Sequence, residues 1–399
     1  MEKKSRILIL STAYLPYIGG SELAIKNITD RINDFEFDLI TGKLDKNSLE
    51  EEVIGNVRIF RVGRFFSLFN FFLPKVFLPQ AVFFKARSLL KKKEHKLIHA
   101  FQLSGAAGAG WLLKFFYPKL PFLITLQEGK RLDKQGILIN FFRKLIIKKA
   151  DAATAISQYL KNYILGARKN INVEVIPNGV DLKNFSRQFS YGEFTDLEDS
   201  LDIKPDDKII VSVSRLVSKN GLDLLVEAFS KLMTNDPLCQ SSSEASQRPT
   251  TTYKLLIIGD GPLKESLKFK VKSLKLQNNV IFVGLISHGD LPIYLKIADV
   301  FVRPARSEGL GSAFLEAMAA GIPVIATKVG GIPDFLEDRK TGLFCSLDPA
   351  DIASKINIVF ENDILRKELI ENGRKLVEEK YDWDKIAEQY KAVFKNLNI

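Results

Sequence analysis

The stretch Arg303-Pro-Ala-Arg-Ser-Glu-Gly-Leu-Gly-Ser-Ala-Phe-Leu-Glu-Ala-Met-Ala-Ala-Gly-Ile-Pro-Val-Ile-Ala-Thr-Lys-Val-Gly-Gly331 decides the fold. It follows the apolar run Val300-Phe-Val302 and runs into Pro323-Val-Ile-Ala326, so it reads as strand, glycine-rich loop, helix and strand. The helix is expected to begin near Ser312, which leaves Glu308 in the loop with Gly309 and Gly311 and puts Glu316 one turn inside the helix. Both acids can then face one cleft. A helix N-terminus has unpaired backbone N–H groups and partial positive charge, which suits a phosphate, and the glycines let a ligand approach closely. Spacing alone equally allows a plainer arrangement, with Glu316 complementing the helix dipole and Glu308 solvated.

Outward from this segment the same alternation recurs. Arg6-Ile-Leu-Ile-Leu10 reads as a buried strand, and Pro16-Tyr-Ile-Gly-Gly20 as a turn before a helix starting near Ser21. Further short apolar runs lie at Phe37–Ile40, Leu97–Ile98, Phe122–Thr125, Ala152–Ala155 and Val173–Ile176. A second series opens at Lys208–Val213 and continues at Lys254–Ile258, Val280–Val283, Val300–Val302, Pro323–Ala326 and Leu343–Phe344. Strands alternating with helices predict an α/β fold with parallel sheets. The polar, irregular stretch Ser186–Asp207 marks a boundary, which gives domains at 1–190 and 200–378 and a closing amphipathic helix within 379–399 that carries Ile386, Tyr390 and Phe394. Asn235–Thr252, rich in Ser, Thr, Gln and Pro, has the composition of a solvated loop.

At 399 residues the chain exceeds the usual size of one core, and its 46% hydrophobic and 26% charged residues are globular values. Cys239 and Cys345 show no metal-ligand spacing and read as reduced thiols of a cytoplasmic protein. Only Ile7 to Leu10 are clearly apolar near the start, too few for a signal-peptide core. Arg64, Asn70 and Lys75 interrupt the most apolar region, so no spanning helix of about 18 residues is expected. The formal charge of +11 implies an anionic partner. No recognised nucleic-acid module surrounds the basic residues, which argues against nucleic acid.

Two further segments suit phosphate chemistry. Arg215-Leu-Val-Ser-Lys219 follows the first strand of the second series, where ligand sites of open α/β sheets gather, and its two cations can neutralise a diphosphate. Gly19-Gly20, at the first strand–helix turn, can offer backbone N–H groups to a phosphate. Gly259-Asp-Gly-Pro262 lacks the third glycine of a dinucleotide fingerprint and reads mainly as a tight turn.

Ser307-Glu-Gly-Leu-Gly311 with Leu315-Glu-Ala-Met-Ala319 resembles the E-x7-E signature of retaining glycosyltransferase family 4. The resemblance extends from Tyr14-Leu-Pro-Tyr-Ile-Gly-Gly-Ser-Glu22 through Ile176-Pro-Asn-Gly-Val-Asp181 to Tyr381-Asp-Trp383. It implies a GT-B fold, two Rossmann-like domains facing across a cleft, with the last helix crossing back to the N-terminal domain. It also implies retaining transfer of a hexose-type sugar from a UDP- or GDP-sugar to a glycan or lipid-linked glycan, in surface polysaccharide or glycolipid synthesis, with no metal and no cofactor. Carried onto this chain, Arg215 and Lys219 hold the diphosphate, Glu308 the transferred sugar and Glu316 the ribose hydroxyls; Gly309, Leu310, Gly311, Gly19 and Gly20 complete the donor contacts. Where many members have a histidine touching the donor sugar, this chain has Gln127, in Ile124-Thr-Leu-Gln-Glu-Gly129. An amide hydrogen bond remains there and a titrating imidazole does not. That departure keeps open a second reading, a nucleotide-sugar-binding protein of the same fold with weakened catalysis. Glu128 is a further candidate for acceptor contact, and His99 reads as structural.

Residues 57–98 carry ten Lys or Arg against the single acid Glu94, interleaved with Phe65, Phe66, Phe69, Phe71, Phe72, Phe77, Phe83 and Phe84. Cations with aromatics suit an anionic bilayer interface, so peripheral contact with the inner face of the cytoplasmic membrane is expected there. In the alternative the phenylalanines pack inside the domain and the cations are solvated.

Overall fold

Ile7, Leu8, Ile9 and Leu10 are all buried, because a parallel sheet is covered on both faces and its strands become continuous apolar runs. In the computed structural model, which describes residues 4–17, 19–45, 47–63, 77–129, 132, 135–235 and 252–399, this run is β1, Ser5–Leu10. It is followed by β2 (Phe35–Gly42), β3 (Glu51–Ile54), β4 (Val57–Val62), β5 (Leu97–Phe101), β6 (Phe122–Leu126), β7 (Ala152–Ala155) and β8 (Asn172–Val175). These form one sheet in the order β3-β4-β2-β1-β5-β6-β7-β8, parallel except for the β3–β4 pair. The chain clusters into two units, residues 1–179 with 383–399, and residues 180–382.

In the first unit the closing helix Trp383–Asn396 packs against the helix Gly20–Arg31. It lays Trp383, Ile386, Tyr390 and Phe394 into the same core as Ile25, Ile28, Phe37 and Leu39. Gly179 belongs to this seam, since a Cβ there would lie 2.8 Å from the Trp383 ring. His99 is neutral and structural: its Nε2 meets Thr125 Oγ1 at 2.7 Å, and burial drives its pKa down to about 3.

The second unit comprises β9 (Lys208–Val213), β10 (Tyr253–Ile258), β11 (Val280–Gly284), β12 (Val300–Arg303), β13 (Val324–Thr327) and β14 (Leu343–Cys345). Their order, β11-β10-β9-β12-β13-β14, is wholly parallel and reverses direction between β9 and β12. Cys345 is a free buried thiol whose pKa burial pushes up to about 12. Cys239 lies outside the described residues.

Several expectations need correction. The chain changes unit at Gly179–Val180 and not inside the polar stretch, because that stretch and the residues just before it are tied to the second unit: Asn184 Nδ2 donates to His288 O at 3.0 Å and Lys296 Nζ to Arg187 O at 2.6 Å. It is not irregular either. Tyr191–Ser200 is a helix, opened by a capping box of Ser190 and Glu193. The hairpin β3–β4 was missed; its turn, Gly55-Asn56, joins short strands at the sheet edge.

Residues 57–98 are not one cationic aromatic surface. Phe60, Phe83 and Arg61 are buried, and the Arg61 guanidinium donates to the carbonyls of Leu49 and Leu15 at 3.0 and 2.6 Å. Residues 64–76, with Phe65, Phe66, Phe69, Phe71 and Phe72, lie outside the described residues, as does 236–251 of the expected solvated loop. Among the described residues no helix is long and apolar enough to cross a membrane.

Candidate functional site

The sheet order reverses between β9 and β12, and the carboxyl ends of two such strands are the place where open α/β sheets bind ligands. The loop after β9 carries Arg215 and Lys219, and the loop after β12 carries Glu308. Lys219 Nζ lies 3.6 Å from Glu308 Oε1, and the Arg215 side chain is exposed. Two residues fasten the loops. Asn220 Nδ2 donates to Arg215 O at 2.6 Å. Arg306 forks onto both oxygens of Asp223 at 2.8 and 2.7 Å, donates to Ser218 O, and gives its own N–H to Lys219 O. The cations are thus presented from a pinned backbone.

Glu308 is held from several sides. Arg303 Nη2 donates to its Oε2 at 2.8 Å and Gly309 N to its Oε1 at 2.9 Å. Arg303 is 5% exposed, with its guanidinium 4.1 Å from the Phe314 ring centre. Burial works against the charge of Arg303, and Glu308 and Glu316 oppose that effect. The backbone of this loop needs its glycines. Gly311, at φ +94°, caps the helix Ser312–Ala320, and a Cβ there would strike Phe314 and Arg303; a Cβ on Gly330, at φ +57°, would fall 1.8 Å from Glu308 O. Leu310 is itself buried, which leaves its backbone as the part able to meet a ligand.

Glu316, in the helix Ser312–Ala320, is 8% exposed. Its Oε1 meets His288 Nε2 at 3.1 Å, and this bond, with the nearby Glu316 and Asp181 charges, raises the His288 pKa above its usual value. His288 and Arg303 are the two site residues that sequence reading missed. Protonated His288 favours the folded state, so its contribution is full below an unfolded pKa of about 6.5 and fades as pH rises through the raised folded value. The melting-temperature difference between wild type and His288→Ala should therefore shrink from about pH 6 to about pH 9. A difference that stayed constant across that range would contradict the pairing.

Gly19, Gly20 and Gln127 lie in the first unit, at the carboxyl ends of β1 and β6. Gly19 precedes the helix Gly20–Arg31, and Glu22 stands close beside it. Burial raises the Glu22 pKa above its usual value. Gln127 is buried; its Oε1 accepts from Asn178 Nδ2 at 3.3 Å while its Nε2 has no hydrogen-bond partner. The two oxygens of Glu128 accept the backbone N–H groups of Leu103 and Gln127 and so brace the ends of β5 and β6. Among the described residues, no group of three or more His, Cys, Asp or Glu converges as a metal site.

Comparison with known proteins agrees with this architecture. Residues 193–376 match the family described as "Glycosyl transferases group 1" and residues 18–184 match "Glycosyltransferase Family 4". The N-acetyl-alpha-D-glucosaminyl L-malate synthase of Bacillus anthracis is 27% identical over 78% of this chain and 77% of its own length. The alpha-monoglucosyldiacylglycerol synthase of Acholeplasma laidlawii is 25% identical over 90% of this chain and 89% of its own. Among solved structures, Anabaena HepE in complex with UDP and glucose shares the fold with a TM-score of 0.76 at 22% identity, covering 98% of this chain and 100% of that one. With one family matched by each half of the sequence and a doubly wound, mainly parallel sheet in each unit, the chain belongs to the family 4 (group 1) glycosyltransferases of the GT-B fold.

Proposed function

We propose that this glycosyltransferase passes a hexose-type sugar from a UDP- or GDP-sugar to a glycan or lipid-linked glycan acceptor, with retention of configuration and without a metal ion, in surface polysaccharide or glycolipid synthesis. Arg215 and Lys219 take the diphosphate, Glu308 the sugar, Glu316 the ribose hydroxyls, and the Gly309-Leu310-Gly311 backbone completes the donor contacts. The bond from the anomeric carbon to the diphosphate oxygen breaks and the diphosphate keeps the electron pair. The acceptor hydroxyl oxygen bonds to that carbon on the same face, and its proton passes to a phosphate oxygen. Fixed cations at the leaving group stabilise charge that develops only as this bond breaks.

One observation carries the reading: Lys219 and Glu308 come within 3.6 Å of each other at the point where the sheet order reverses, with Arg215 on the same pinned loop. The relatives' names, a glucosaminyl-malate synthase and a glucosyldiacylglycerol synthase, and the UDP and glucose held by HepE support a nucleotide-sugar donor. A diacylglycerol-based product in one relative also supports a lipid acceptor, with peripheral attachment at the cytoplasmic face of an anionic membrane, including part of 57–98.

Transfer and donor hydrolysis measured over a panel of UDP- and GDP-sugars, with and without EDTA, test the proposal. Turnover of at least one donor, unchanged by chelator, is the expected result. Activity that vanished with EDTA and returned with magnesium would overturn the metal-free mechanism; donor binding without turnover would favour the weakened-catalyst reading.

A further inference from the structure

In the first unit the helices Leu78–Lys92, Gly105–Phe116 and Ile137–Lys149 pack successively against one another. Together they contain nine Lys or Arg and not one Asp or Glu. The helices Gly20–Arg31 and Trp383–Asn396 of the same unit mix both signs, so the asymmetry belongs to these three helices and not to the composition at large.

Large apolar side chains stand on their solvent side. Ile137 is 92% exposed, and Phe84, Phe115, Phe116, Phe141 and Phe142 are all more than half exposed. Cations lie among the rings: Arg87 is 4.9 Å from the centre of Phe116 and Lys149 is 4.6 Å from that of Phe115. Lys144 and Lys148 project from the same helix as Phe141 and Phe142 and are exposed.

Several large apolar side chains exposed on neighbouring helices mark an interaction site, and the charge around them selects the occupant. A second copy docking through the same face would set cations against cations. An anionic bilayer offers phosphates to the ammonium groups and a headgroup boundary to the rings, with the lysine stems lying along apolar surface.

We propose that the exposed face of these three helices docks on an anionic lipid bilayer, with Phe141, Phe142 and Ile137 entering the headgroup boundary and Lys144 and Lys148 on lipid phosphates. The inference rests on the membrane attachment proposed above and assigns it chiefly to residues outside 57–98.

The test uses the full chain in sedimentation with vesicles of phosphatidylglycerol and phosphatidylcholine, compared with phosphatidylcholine alone, at low and moderate salt. Wild type should bind the anionic vesicles and release with salt. Phe141→Asp/Phe142→Asp and Lys144→Glu/Lys148→Glu should each bind at least about tenfold more weakly, while melting and donor hydrolysis stay as in wild type, since none of these four residues is among the proposed donor contacts. Vesicle binding by both variants equal to wild type would overturn the assignment and leave attachment elsewhere. No binding by wild type would overturn attachment altogether, leaving the donor reading to the sugar-nucleotide panel. A wild-type dimer in light scattering that became monomeric on Phe141→Asp/Phe142→Asp would show that a second copy covers the face, and would also overturn the proposal.

Discussion

Arg215→Ala is expected to lower turnover by about 10²- to 10³-fold, the scale seen when one preorganised donor to developing negative charge is removed. The Arg215 side chain is exposed, while its carbonyl is held by Asn220. The substitution therefore removes the guanidinium without disturbing the loop, and stability should change by no more than about 0.5 kcal/mol. The loss should appear mainly in kcat, because the charge it meets is largest when the diphosphate leaves. Arg215→Lys should restore part of the rate, keeping charge while losing the planar fork. Lys219→Ala should lose turnover on a similar scale, with the added consequence that Glu308 keeps Arg303 but loses its nearest ammonium. Near-normal transfer by Arg215→Ala, measured at saturating donor, would remove this residue from the mechanism.

Glu308→Ala is expected to damage both folding and catalysis, and a double variant separates the two. Arg303 is buried, with Glu308 as its close ion-pair partner, so deleting the carboxylate leaves an uncompensated buried charge at a cost of about 3–5 kcal/mol. Arg303→Met/Glu308→Gln removes both charges and keeps the volume, and should recover most of that stability. It should not recover transfer, because no carboxylate then faces the donor sugar. Denaturant midpoints and transfer rates of wild type, Glu308→Ala and the double variant check this together. A double variant as unstable as Glu308→Ala would deny the ion pair its role; one as active as wild type would deny Glu308 its catalytic one.

Sequence patterning reached the elements better than the contacts. Both strand series announce themselves as apolar runs, and the helix start at Ser312 follows from Gly309-Leu-Gly311 before an Ala- and Leu-rich segment. The crevice was legible because Arg215 and Glu308 each follow a strand, although adjacency of β9 and β12 appears only once the sheet order is known. Arg303 was not legible. At the end of a strand it resembles a solvated terminus, and nothing local says that a helix brings Phe314 over its guanidinium. His288 was hidden for the same reason, since its partner Glu316 is 28 residues away. The helix Tyr191–Ser200 did have a local signal, the Ser190-x-x-Glu193 capping box, masked by the polar composition around it. Edge strand β3 has four residues alternating between exposed and partly buried, too short for periodicity to stand out.

The membrane-facing expectation shows how burial redistributes a composition signal. Cations and phenylalanines concentrated in 57–98 suggested that stretch, but Phe60, Phe83 and Arg61 turn inward, whereas Ile137, Phe141 and Phe142 turn outward from a helix with no acidic residue. Helical periodicity would place part of that helix in a core; which part remains exposed depends on neighbours that the sequence does not name.

The most direct measurement is a crystal structure of the enzyme with a bound, non-transferable analogue of whichever nucleotide-sugar the panel selects. The account predicts diphosphate oxygens within hydrogen-bond distance of Arg215 and Lys219, the ribose hydroxyls on Glu316, and the sugar against Glu308. A diphosphate seated elsewhere, with these four side chains turned away from it, would contradict the account.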